Sequence, residues 1–156
     1  MVALRGRIDR IDISADKTRA RIVDYKTGRP VRGIFAGGEA LQLPLYLFAA
    51  KRLWPGFDWV AAGYTYVNSA SAHSSHKGKG YVQVFSSEAW AEQLVTLKEI
   101  VRTLVHGMQE GLFFAAPLSC GECPFPLICG RNTRAVYERK KEDPRVQPFL
   151  RLKEIS

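Results

Sequence analysis

Asp24 and Lys26 stand two residues apart in the run Ile22-Val23-Asp24-Tyr25-Lys26-Thr27-Gly28. On a strand this spacing puts a carboxylate and an ammonium on one face, about 7 Å apart along the backbone. Upstream, Gly6-Arg7-Ile8-Asp9-Arg10-Ile11-Asp12 supplies another acid, Asp9, on a second predicted strand. Two carboxylates able to hold Mg²⁺, beside a lysine aimed at the same place, suit the hydrolysis of phosphodiesters. That reaction needs a deprotonated water, charge neutralisation on a pentavalent phosphate and a stabilised leaving group. A lysine can orient or deprotonate the water, or stabilise the developing charge. The commonest fate of an Asp-x-Lys is nonetheless a surface ion pair, so the tripeptide decides nothing alone.

Its surroundings shift the balance. Asp24 lies among Ile22, Val23 and Tyr25 at the end of a β-rich run, where an unpaired carboxylate is costly. Asp9 follows a glycine that admits a close approach. Gln42 and Tyr46, four apart, share one face of the next predicted helix and can reach the same cleft.

The elements that must hold these residues follow from periodicity. Residues 3–13 and 19–26 read as antiparallel strands joined by a turn at Asp16-Lys17, with Ala20, Ile22, Asp24 and Lys26 on one face. Residues 27–38 form a loop rich in glycine. Residues 39–54 have helical periodicity, with Leu41, Leu45 and Phe48 on one stripe, Pro44 near the first turn and Pro55-Gly56 as the stop. Residues 59–67 and 81–85 are β-rich, and 68–80 is a polar connection containing His73 and His76. Ser86 or Ser87 can cap a long helix to about residue 110, with a stripe of Leu94, Leu97, Val101, Leu104 and Val105 ended by Gly111. A cysteine loop follows over 112–130. Residues 131–156 are expected as a basic helix from 133 to 141 and an irregular tail containing Pro144 and Pro148. The order ββαββα predicts an α/β (α+β) core, a mixed central sheet flanked by helices.

Composition is compatible with this chemistry without demanding it. The 156 residues suit one domain. Twenty-three basic against fifteen acidic residues give a net charge of +8, as a polyanion partner requires. Arg5, Arg7, Arg10, Arg19, Arg21, Arg29 and Arg32 surround the acidic pair, and a second cluster runs from Arg131 through Arg139, Lys140, Lys141 and Arg145. Three cysteines in one stretch do not describe an oxidised secreted framework. No signal peptide or membrane span is evident, so a cytoplasmic location is expected. Met1-Val2 lead straight into a predicted strand, the expectation for a piece of a larger protein.

In combination, the Gly6–Asp12 run, Val23-Asp24-Tyr25-Lys26-Thr27-Gly28 and Gln42-Leu43-Pro44-Leu45-Tyr46 resemble the successive motifs of the RecB/AddB branch of PD-(D/E)xK nucleases, over about residues 3–130. The resemblance implies a restriction-endonuclease-like core over 1–130. It implies a Mg²⁺- (or Mn²⁺-) dependent nuclease acting on single-stranded DNA in double-strand break repair and recombination. Asp9 and Asp24 would be metal ligands, with the Tyr25 carbonyl as an additional one and Asp12 as the substitute for Asp9. Lys26 would be the catalytic lysine, and Gln42 and Tyr46 would shape the site. Arg7, Arg10, Arg29 and Arg32 are the expected contacts to nucleic acid. A helicase subunit or helicase-like domain is the implied protein partner. The competing readings are a CRISPR-associated or phage-type exonuclease of the same superfamily, and an inert DNA-binding or structural module.

Cys120, Cys123 and Cys129 follow the pattern C-x2-C-x5-C, which offers three ligands with no adjacent histidine where zinc usually takes four. Three buried thiols in a proline-rich loop are the alternative. The same resemblance implies a [4Fe-4S] cluster whose fourth cysteine comes from upstream of the first catalytic strand, together with an N-terminal histidine or glutamate at the metal site. No cysteine precedes Cys120 here. The cluster is therefore expected in a longer protein, and incomplete or absent in this chain.

Overall fold

Small and apolar residues alternating with polar ones build β2 (Arg19–Lys26) over its full expected length. The computed structural model describes residues 3–27, 33–67, 81–113, 128 and 132–155. β1 (Arg10–Ile13) pairs antiparallel with β2, from Arg10↔Val23 to Ile13↔Ala20, across the expected turn at Asp16 and Lys17. The first strand was expected over 3–13 and is far shorter. Residues 3–9 carry no ladder, and Asp9 sits in the bend before β1 rather than on it. The reason is local. The Tyr25 N–H, which faces the β1 side, donates to the Asp9 carboxylate at 3.1 Å, so a side chain takes the bond that a continued ladder would use.

β2 runs parallel to β3 (Asp58–Tyr66), and β3 pairs antiparallel with β4 (Tyr81–Ser86). The sheet order is β1-β2-β3-β4, a mixed four-stranded sheet flanked by helices as expected. A parallel pair needs a crossover, and α1 (Gln42–Leu53) supplies it. This helix is shorter than expected and follows a 3₁₀ turn at Ala36–Gly38. Its buried stripe is Leu43, Pro44, Leu47 and Ala50, while Leu41, Leu45 and Phe48 are only partly buried. Gln42 is exposed and Tyr46 half-buried on the side of the helix next to that stripe.

α2 (Trp90–Gln109) buries Trp90, Leu97 and Ile100. Neither Ser86 nor Ser87 caps it: the N-cap is Ala89, which has no side-chain acceptor, and the Ser87 hydroxyl donates to Glu88. Gly111, at φ 65°, supplies the left-handed residue that ends it. α3 (Thr133–Lys140) matches the expected basic helix. The tail beyond it is not irregular. α4 (Gln147–Leu152) forms there, with Pro148 in its first turn, where a missing N–H costs nothing. α4 packs on α2, where Gly107 leaves room for Phe149: a Cβ at Gly107 would lie 2.0 Å from the Phe149 ring. Gly37 donates its N–H to the Ile155 carbonyl at 2.9 Å. Leu152 joins Ile22, Leu43, Leu47, Ala62, Phe85 and Ile100 in one core. Each large apolar side chain buried there contributes about 1.5–3 kcal/mol relative to exposure. Among the described residues, no helix is long and apolar enough to cross a membrane.

Candidate active site

Period-2 geometry brings Asp24 and Lys26 onto the α1 side of β2, at the strand's C-terminal end. Asp24 is 1 % exposed, the one charged side chain among the buried described residues. Its Oδ2 lies 2.6 Å from the Lys26 Nζ. That contact balances charge without the geometry of a hydrogen bond, and both carboxylate oxygens are buried with no hydrogen-bond donor among the described residues. Lys26 instead donates to the Gln42 Oε1 at 2.5 Å. Gln42 Nε2 in turn donates to the Tyr46 hydroxyl at 3.3 Å. The i,i+4 pair thus forms a wall reaching from the first turn of α1 to the lysine.

The glycine before Asp9 has the close approach its position implied. A Cβ at Gly6 would stand 2.8 Å from the Tyr46 ring, so the backbone at Gly6 passes that ring at contact distance. The same segment brings Asp9 to the Tyr25 N–H, the amide that follows Asp24. The N–H and C=O of one strand residue face the same edge, so the Tyr25 carbonyl also faces the Asp9 side. The site is therefore assembled from a strand end, a bend and a helix start.

Tyr64 completes the surroundings and was not foreseen. It is the cross-strand partner of Asp24 in the parallel register, is 4 % exposed, and places its ring centroid 5.3 Å from the Lys26 Nζ. Burial, reinforced by the Asp24 and Tyr66 charges, pushes its hydroxyl up to about 12, so it remains a neutral phenol. The available signal was the Tyr64/Tyr66 spacing, the same period that pairs Asp24 with Lys26.

A divalent cation fits this donor set. Hard cations take oxygen ligands, and Asp24 presents a buried carboxylate whose oxygens lack hydrogen bonds among the described residues, one residue before the Tyr25 amide that holds the Asp9 carboxylate. Among the described residues, no three His, Cys, Asp or Glu side chains converge on one point, so two carboxylates and a backbone oxygen are the available combination.

Other expected residues fall elsewhere. Asp12 lies in β1 and pairs with Arg10 at 2.5 Å and with Arg21 at 2.8 Å. Burial pushes its carboxyl up, but hydrogen bonds from both arginines outweigh that and hold it below the usual carboxylate range. Arg10 also donates to the Tyr25 hydroxyl at 3.0 Å, so it is committed within the sheet. Arg7 is exposed on the segment that crosses Tyr46. Arg29, Arg32, Cys120, Cys123 and Cys129 lie outside the described residues, as do His73 and His76.

The mixed four-stranded sheet flanked by helices agrees with a wider comparison. The sequence profile of the PD-(D/E)XK nuclease superfamily matches residues 1–130, and the chain belongs to that superfamily. Its members are in general metal-dependent hydrolytic nucleases, typically using Mg²⁺ or Mn²⁺. No curated protein and no solved structure matches the chain.

Proposed function

We propose that this chain is a Mg²⁺- or Mn²⁺-dependent deoxyribonuclease domain of RecB/AddB type, hydrolysing single-stranded DNA at ends during double-strand break repair and recombination. The observation that supports it most is Asp24, a carboxylate buried at the price of its hydrogen bonds and held against Lys26. A buried ion pair whose carboxylate oxygens lack hydrogen bonds among the described residues adds little to folding, which favours a functional reason for the arrangement.

Asp24, Asp9 and the Tyr25 carbonyl would hold the cation, which would neutralise phosphate charge and make a bound water more acidic. Lys26 positions the attacking water and stabilises charge on the phosphoryl oxygens as the P–O bond to the leaving nucleotide breaks. Gln42 fixes the ammonium, and Tyr46 fixes Gln42. Arg7, together with Arg29 and Arg32, contacts the DNA backbone, while Arg10 is held by Asp12 and the Tyr25 hydroxyl and braces Tyr25. Cys120, Cys123 and Cys129 would supply three ligands to a [4Fe-4S] cluster in a longer protein, the cluster being incomplete or absent in this chain, and a helicase-like partner would deliver the strand.

End-labelled single-stranded DNA, duplex DNA and RNA, each incubated with the chain in Mg²⁺ and in EDTA, test this reading. Mg²⁺-dependent shortening of single-stranded DNA in preference to RNA is expected. Equal shortening in EDTA, or faster attack on RNA, would contradict it.

A further inference from the structure

An ammonium has three N–H bonds to direct and no acceptor of its own. Lys26 has Asp24 at 2.6 Å, Gln42 at 2.5 Å and the Tyr64 ring at 5.3 Å from its Nζ. Of these, Asp24 is the one anion, and on the reading above it is shared with a divalent cation. Loading that cation draws the carboxylate's charge away from Lys26 and places a second positive charge nearby. The ion pair is thus weakest in the state in which the lysine must act.

The attraction of an aromatic face for a cation does not depend on Asp24. Tyr64 is buried in β3, which is paired on both sides, and its ring packs against Tyr66 with centroids 6.1 Å apart. It stands opposite Asp24 in the β2–β3 register. Resting on the assignment of Asp24 to the metal and Lys26 to the reaction, we propose that Tyr64 is a positioning residue whose ring keeps the Lys26 ammonium in place once a divalent cation occupies the Asp24 carboxylate.

Two readouts test this. The first is cleavage of labelled single-stranded DNA in Mg²⁺ by the wild-type chain, Tyr64→Phe, Tyr64→Leu and Lys26→Ala. Tyr64→Phe keeps the ring and should hold kcat within about twofold. Tyr64→Leu should lower kcat about tenfold with KM little changed, the scale of a desolvated cation–π contact. The second readout needs neither a variant nor turnover. The Lys26 ε-methylene protons should show an upfield ring-current shift in the NMR spectrum of the wild-type chain, with and without Mg²⁺. Loss of that shift on adding Mg²⁺ overturns the inference. So does full kcat in Tyr64→Leu while Lys26→Ala is inactive. Full activity in Lys26→Ala instead overturns the assignment of the site, and the inference with it.

Discussion

Lys26 donates to Gln42 across 2.5 Å, joining the last residue of a strand to the first residue of the helix that follows it. The two lie sixteen positions apart in sequence, and the bond ties the lysine in place. Gln42 is exposed and contributes nothing to the core. Gln42→Leu should therefore leave the melting temperature nearly unchanged. Cleavage should fall about tenfold or more, because the ammonium is no longer held in its reactive position. Steady-state kinetics beside a thermal melt checks both halves.

Asp24 connects the site to stability. A ligand that binds only the folded state stabilises it, by about 2.7 kcal/mol at a hundredfold excess over Kd. Mg²⁺ should raise the melting temperature of the wild-type chain, and EDTA should reverse the rise. In Asp24→Asn the rise should be absent. Calorimetric melts with and without Mg²⁺ measure it.

Gly6 reports on the wall around the site. Gly6→Val puts side-chain atoms where the Tyr46 ring lies, 2.8 Å from the position of the first added carbon. The ring can swing aside, so the stability cost should stay below about 1 kcal/mol, as for exposed segments. Activity should fall more than stability, since a displaced Tyr46 releases Gln42. Comparing the melting temperature with kcat separates the two effects.

These predictions rest on features of unequal visibility in the sequence. Asp24 and Lys26 were legible because a strand has period 2, and Gln42 and Tyr46 because a helix has neighbours at i+4. The bend at Asp9 was not. Periodicity carries no record of a carboxylate competing with the backbone for the Tyr25 amide. α4 was hidden because Pro144 and Pro148 read as breakers, although the first turn of a helix accommodates proline. Tyr64 was hidden because its place opposite Asp24 depends on a parallel register with an irregularity at Ala20/Arg21. That register is a long-range property.

α4 yields a prediction about the fold rather than the chemistry. Gly107→Ala favours the α2 helix locally, yet its Cβ would fall 2.0 Å from the Phe149 ring. The clash should dominate and destabilise the chain by about 1–3 kcal/mol. Phe149→Leu in the same background should recover part of the loss, as chemical denaturation will show.

Asp16 governs the acid response of the β1–β2 turn. Its carboxyl is lowered to about 2 by the Ser14 hydroxyl and the Thr18 backbone amide. A carboxyl depressed in the folded state adds stability above its unfolded value, and that stability is lost as pH falls toward about 2. Between pH 5 and 2, the wild-type chain should lose more stability than Asp16→Ala. Parallel denaturation series across that range provide the comparison.

The most direct test is the Mg²⁺-dependent cleavage rate of labelled single-stranded DNA by wild-type chain and Lys26→Ala, matched for circular dichroism and DNA affinity. A fall of about a hundredfold or more in Lys26→Ala, with folding and binding retained, is the predicted result. Equal cleavage by the two proteins would contradict the assignment of Lys26, and with it the active site built around Asp24.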